Sequence, residues 1–159
     1  MSQDSIIPVK ANNICVYICR RVEDRLEVLL VNGKTSSGLK IWAVNYTVVK
    51  GSQMCWETAL DEVRIKTSHV PDRLYSLDKV EQNYDPKANC IQLAPLMVAF
   101  FDNGQETKPV FSNMETSWVD AYEAEKLLPL PRQREALKMI YHEYFLKEPS
   151  ILMKLYPKG

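Results

Sequence analysis

The sequence has no excess of either charge: Lys and Arg together number 20, and so do Asp and Glu, in 159 residues. A balanced chain sets up no broad positive field to gather nucleic acid, so nucleic acid is not expected as a partner. The chain also lacks a long apolar run. Nothing in it approaches the roughly 18 apolar residues that a membrane-spanning helix needs. The opening MSQDSIIPVK has no basic segment leading into an apolar stretch. No membrane association and a cytoplasmic location are the expectation. Histidine is scarce, with His69 and His142 alone, and the four cysteines, Cys15, Cys19, Cys55 and Cys90, contain one close pair. A zinc site calls for closely spaced pairs of such ligands, so the cysteines read instead as free thiols of a reducing compartment. Neither internal repeats nor low-complexity segments occur.

What is present suits one folded domain with a proper core: 46% hydrophobic and 25% charged residues. NICVYICR (13–20) and LEVLLVN (26–32) are apolar, rich in β-branched types, and separated by the charged turn VEDR, which predicts a hairpin. GKTSSGLK is a polar loop, and IWAVNYTVV reads as a further strand. In MCWETALDEVRIKT (54–67), Cys55, Ala59 and Val63 follow an i, i+4 row, which predicts a helix ended by Pro71. LYSLDKVEQNY and CIQLAPLMVAFFD read as strands on either side of the turn PKAN, the second interrupted near Pro95. A polar loop from Asn103 to Asn113 leads to ETSWV, read as the last strand. DAYEAEKLL and PRQREALKMIYHEYF are two helices divided by prolines. His142 falls on the second of them with no nucleophile pattern near it. The tail KEPSILMKLYPKG has no element assignment, but its apolar residues suit packing on the domain or on a partner chain. The pattern as a whole predicts an α+β fold.

Three segments carry a family resemblance: Trp42 to Thr67, PDRLYSLDKVEQNYDP, and WVDAYEAEKLLPLPRQREAL. Together they resemble bacterial Nudix hydrolases of the nucleoside-triphosphate pyrophosphohydrolase type, over residues 13–145 and without a gap through the family's catalytic box. The resemblance implies an α/β/α sandwich with a mixed, largely antiparallel sheet. Residues 1–12 are then a leading segment and 146–159 a tail. It also implies a loop–helix–loop whose carboxylates hold Mg²⁺ against a diphosphate, since hard oxygen ligands suit that ion and the metal helps to activate water.

The box reads G-x5-E-x7-R-E-U-x-E-E-x-G-U, where U is apolar. Carried onto this chain, its first glycine falls on Thr47 and the following glutamate on Gln53. The arginine falls on Asp61, while Glu62 and Val63 match. The paired glutamates fall on Ile65 and Lys66, and the last two positions on Ser68 and His69. One box carboxylate of four survives, so Glu62 is the remaining catalytic candidate. Ile65 has no ligand atom, and Lys66 places a positive charge where the resemblance puts a cation. Two unit charges about 4 Å apart repel by about 4 kcal/mol at an effective dielectric near 20. Lys66 would equally meet a phosphate directly, as a point charge.

Two readings of the metal question stay open. Surrogate ligation would draw on Glu57, Asp61 and Glu62, completed by Glu81 or Glu115. A second register, Gly51-x5-Glu57, matches the start of the box, but seven residues on it reads Ile65-Lys66-Thr67 in place of Arg-Glu-apolar. The plainer reading makes Glu57, Asp61 and Glu62 a solvated helix face, with Asp61 paired to Arg64. Other residues carry the same double reading. Trp42 and Trp118 would stack on a base or pack in the core, and Trp56 reads as a packing residue. Tyr46 would plug the phosphate space or cover the core. Arg20 and Lys50 would receive phosphates or stay solvated.

The expectation is a Nudix-like protein that binds a nucleotide, another phosphorylated small molecule or a protein partner without hydrolysing it, and without a cofactor. The alternative is a divergent Mg²⁺- or Mn²⁺-dependent hydrolase of a nucleoside diphosphate-linked substrate. A homodimer or a protein contact through the tail is the remaining partner expectation.

Overall fold

Two collinear strands begin the sheet, β1 (Val9–Lys10) and β2 (Asn13–Val22), in a computed structural model that describes residues 6–34, 37–102 and 115–158. The period of two in NICVYIC sorts β2 between two cores. Cys15, Tyr17 and Cys19 face one, and Ile14, Val16 and Ile18 face the other, all fully buried. A strand buried on both faces must sit inside a sandwich. Each large aliphatic side chain sealed there contributes about 1.5–3 kcal/mol of transfer free energy.

β3 (Arg25–Lys34) returns from β2 as the predicted hairpin, with Cys19 opposite Val28 and Val22 opposite Arg25. The run read as one strand, IWAVNYTVV, is two: β4 (Lys40–Ala43) pairs with β3, and β5 (Asn45–Val48) pairs with β2. The chain turns between them at Val44, whose buried side chain joins the first core.

Helix α1 (Cys55–Thr67) follows. The Glu57 carboxylate accepts from the Met54 N–H at 3.1 Å, which ties off the first turn. Ala59, Leu60 and Val63 enter the second core. The helix stops before Pro71: Ser68 adopts a left-handed conformation (φ 65°) and its N–H caps the Arg64 carbonyl.

β6 (Arg73–Asp85) and β7 (Cys90–Phe101) form a long antiparallel pair. β7 runs unbroken through Pro95. The irregularity falls on β6 instead, where the register shifts between Ser76 and Val80. Proline has no N–H for the ladder, and a bulge in the facing strand absorbs the missing bond. β7 also pairs in parallel with β2 and β1, so the sheet is mixed.

β8 (Glu115–Asp120) pairs with β3 and leads into α2 (Ala121–Leu127) and α3 (Pro131–Met139), which continues as a π-helical stretch over Ile140–Phe145. Ala124, Ala136, Leu137, Ile140 and Phe145 pack into the first core, opposite α1. The result is the expected α/β/α sandwich. β8 is not the last strand: the tail makes a short turn and β9 (Lys154–Tyr156), which pairs with the edge of β6. Leu155 and Tyr156 pack against the second core. The polar loop predicted from Asn103 to Asn113 lies outside the described residues.

Candidate functional site

The registers of β2 and β3 open a cleft. On one side of β2, residues 13–16 pair with β5 and residues 19–22 with β3. On that same side of β3, residues 25–28 pair with β2 and residues 31–34 with β4, while β8 takes the other side. The two central strands therefore diverge, each carrying its own short partner away from the fork. Among the described residues no strand pairing joins β4 to β5. The space between them is a cleft of about 220 Å³. Val31, Ile41 and Ala43 give it apolar walls, and Glu62 and Lys66 of α1 line it together with Asn45.

Glu62 and Lys66 lie one helical turn apart, so they share a face of α1. The Lys66 ammonium is 3.6 Å from Glu62 Oε1, and both side chains are largely buried, at 16% exposure for Lys66 and 10% for Glu62. Asn45, at the start of β5, is 2% exposed.

The other acidic candidates do not join them. Glu57 is occupied at the helix N-terminus. Asp61 accepts from Gln53 Nε2 at 2.9 Å and lies 3.8 Å from Arg64, while Gln53 in turn accepts from the Thr58 hydroxyl. Glu115 accepts from Asn32 at the outer strand β8. Glu81 lies on the opposite face of the sheet, against α3. Among the described residues, no three Asp, Glu, His or Cys side chains converge. The donor set beside α1 is thus a poor fit to Mg²⁺ or Mn²⁺, which take several hard oxygen ligands. It offers one carboxylate, already paired with an ammonium.

The predicted ligand-binding residues are divided between the two faces. Trp118 and Arg20 share the α1 face, with the guanidinium 4.4 Å from the indole and paired to Glu27 at 2.7 Å. Trp42 packs against the opposite core. Trp56, as expected, packs against the second core. Lys50 is exposed in the turn before α1. Tyr46 borders the cleft, but its hydroxyl goes to the far face. There it donates to Glu81, 2.8 Å from Oε1, and accepts from Gln133 Nε2 at 3.2 Å. Burial pushes the Tyr46 hydroxyl well above the ordinary phenol range. Arg132 completes this cluster through Glu81. Sequence reading missed Arg132, Gln133 and Asn45. The two α3 residues sat in a stretch read only as a helix, and Asn45 in a stretch read as an uninterrupted strand.

This is the Nudix fold: a mixed sheet between α1 on one face and α2 and α3 on the other. No family model matches the sequence, and no curated protein matches it at the sequence level. The likeness is to solved structures. The dihydroneopterin triphosphate pyrophosphohydrolase of E. coli superposes with a TM-score of 0.64 at 15% identity, over 87% of this chain and 95% of that one. A C. elegans Ap4A hydrolase in a binary complex gives 0.63 at 13% identity, over 79% and 91%. The Nudix domain of Shewanella oneidensis NrtR, complexed with ADP-ribose, gives 0.63 at 15% identity, over 85% and 88%.

Proposed function

We propose that this chain is a Nudix-fold binding module whose box is degenerate. It takes a phosphorylated small molecule, most simply a nucleotide, into the cleft between β4, β5 and α1. Its phosphate meets Lys66, with no metal ion and no hydrolysis. The observation that carries this reading is the Lys66–Glu62 pair at 3.6 Å on the cleft wall. A box position that would hold a metal ligand instead holds a cation of the protein's own, fixed in place by the one retained carboxylate. Lys34, which also lines the cleft, adds a second positive charge. Water is largely excluded from the pair, so its field is less screened than that of a surface lysine. The NrtR domain supports the ligand class, because a protein of this fold is complexed with ADP-ribose.

The test is calorimetric titration with nucleoside diphosphates, with Mg²⁺ and with a chelator, alongside an assay for released phosphate. The expected result is binding indifferent to the metal, no turnover, and at least a tenfold loss of affinity in Lys66→Met. Metal-dependent turnover at ordinary enzyme rates, about 1–10³ per second, would overturn the proposal.

A further inference from the structure

Asn45 carries an unexplained feature. Both ends of its amide, Oδ1 and Nδ2, are buried without a hydrogen-bond partner among the described residues. Its backbone sits opposite Val16 on β2, whose side chain faces the α1 core, and the residue lines the cleft with Lys66 and Glu62, its amide just beneath the surface. Buried amide atoms are nearly always paired, because leaving them unpaired forfeits hydration with nothing in return. A leucine of similar size would fill the same place without that penalty. The other polar groups of the cleft do not relieve it. Glu62 is held by Lys66, and the Tyr46 hydroxyl is turned to Glu81 and Gln133.

We propose that Asn45 is the specificity-determining residue of the cleft: its amide reads a planar ligand edge that sets a hydrogen-bond donor beside an acceptor, as every nucleobase does. This rests on the phosphate-binding reading above. A carboxamide accepts through Oδ1 and donates through Nδ2 in one plane, so it matches such an edge with two parallel bonds. Neither the ammonium of Lys66 nor the carboxylate of Glu62 offers both functions. The walls of Val31, Ile41 and Ala43 suit the faces of a flat ring. A cleft of about 220 Å³ falls below the roughly 300–1,000 Å³ typical of drug-sized ligands. It therefore suits one ring, with the phosphate meeting Lys66 beside it.

The experiment titrates the full chain with ADP, GDP, CDP and UDP and with inorganic pyrophosphate, and compares wild type with Asn45→Leu and Asn45→Thr. At least one nucleoside diphosphate should bind wild type tenfold or more tightly than pyrophosphate. That preference should vanish in both variants, with pyrophosphate affinity held within twofold. Ligand-free Asn45→Leu should also melt at a higher temperature than wild type, because it removes the unpaired amide. An asparagine with a purely structural role would give the reverse. Should no nucleoside diphosphate surpass pyrophosphate, or should the variants keep the preference, the Asn45 assignment falls alone. If wild type binds neither kind of probe, the phosphate reading falls with it. Asn45→Thr places a β-branched residue, which suits a strand, at this position and decides the matter if the leucine variant does not fold.

Discussion

Arg132 on α3 and Glu81 on β6 meet at 2.5 Å between Nε and Oε1, 51 residues apart in sequence. The Glu81 side chain is 4% exposed and that of Arg132 is 40% exposed. Tyr46 donates to the same carboxylate, so β5, β6 and α3 are joined at one charge. Removing Arg132 leaves Glu81 buried with its negative charge opposed by no cation in the cluster. Breaking a fully buried pair costs about 3–5 kcal/mol. The partial exposure of Arg132 scales that down, so Arg132→Met should cost about 2 kcal/mol. Tyr46→Phe should cost about 1 kcal/mol through the lost donor. Urea denaturation of both variants and of their combination checks this. Strict additivity would show that the three residues do not act as a unit.

The four cysteines are free thiols, with Cys15, Cys19 and Cys90 buried and Cys55 partly exposed. Burial pushes the Cys15 and Cys19 thiols well above the ordinary range, and the nearby Glu81 charge adds to the effect at Cys15. Both stay protonated and unreactive at neutral pH. A thiol-specific chromogenic reagent at pH 8 should titrate one group, Cys55, in the native protein and all four after unfolding in guanidinium. Rapid labelling of a second native thiol would contradict the buried positions.

Asp85 closes the turn between β6 and β7, accepting from the backbone N–H of Lys87 at 3.0 Å and of Ala88 at 3.3 Å. The Ala88 and Lys87 bonds hold its carboxyl below the usual carboxylate range. A carboxylate depressed in the folded state stabilises the fold above its unfolded value, about 3.9, and that contribution is lost as pH falls through the folded value. Wild type should melt above Asp85→Ala at pH 6, and the gap should close as the pH approaches 2. A gap that is constant with pH would assign the effect to the turn geometry alone.

Placing glutamates at residues 65 and 66 should not by itself produce robust turnover. In the double variant Ile65→Glu with Lys66→Glu, the carboxylate introduced in place of the ammonium sets a second negative charge beside Glu62. The metal-free protein should lose about 2 kcal/mol of stability after allowance for screening. Added Mn²⁺ should recover part of that, since binding to the folded state alone stabilises it. Turnover should remain slight, because Gln53 is bonded to Asp61 and Thr47 stands where the resemblance expects a glycine. Calorimetry with Mn²⁺ and a phosphate-release assay read the two halves separately. Robust turnover would mean that the rest of the site is competent.

Strand and helix identities were legible wherever periodicity spoke locally. The alternation in NICVYIC and the i, i+4 row through Cys55, Ala59 and Val63 both correspond to buried faces. What stayed hidden depends on pairing between distant segments. The break at Val44 follows from which strand each flank joins, and nothing in IWAVNYTVV marks it. Pro95 announced an irregularity, but the facing strand carries it. Tyr46 was legible as a residue close to the box, yet its hydroxyl goes to Glu81, far away in sequence. The tail showed its apolar residues and concealed its partner, the edge of β6.

The divergence of β2 and β3 has a consequence for how the cleft responds to substitution. The opening beside α1 is maintained by main-chain pairing, which substitutions on the strands scarcely alter, rather than by the side chains that line it. A substitution among the residues that line it therefore changes the chemistry of the hollow and leaves its outline. Chemistry and container are under separate control here.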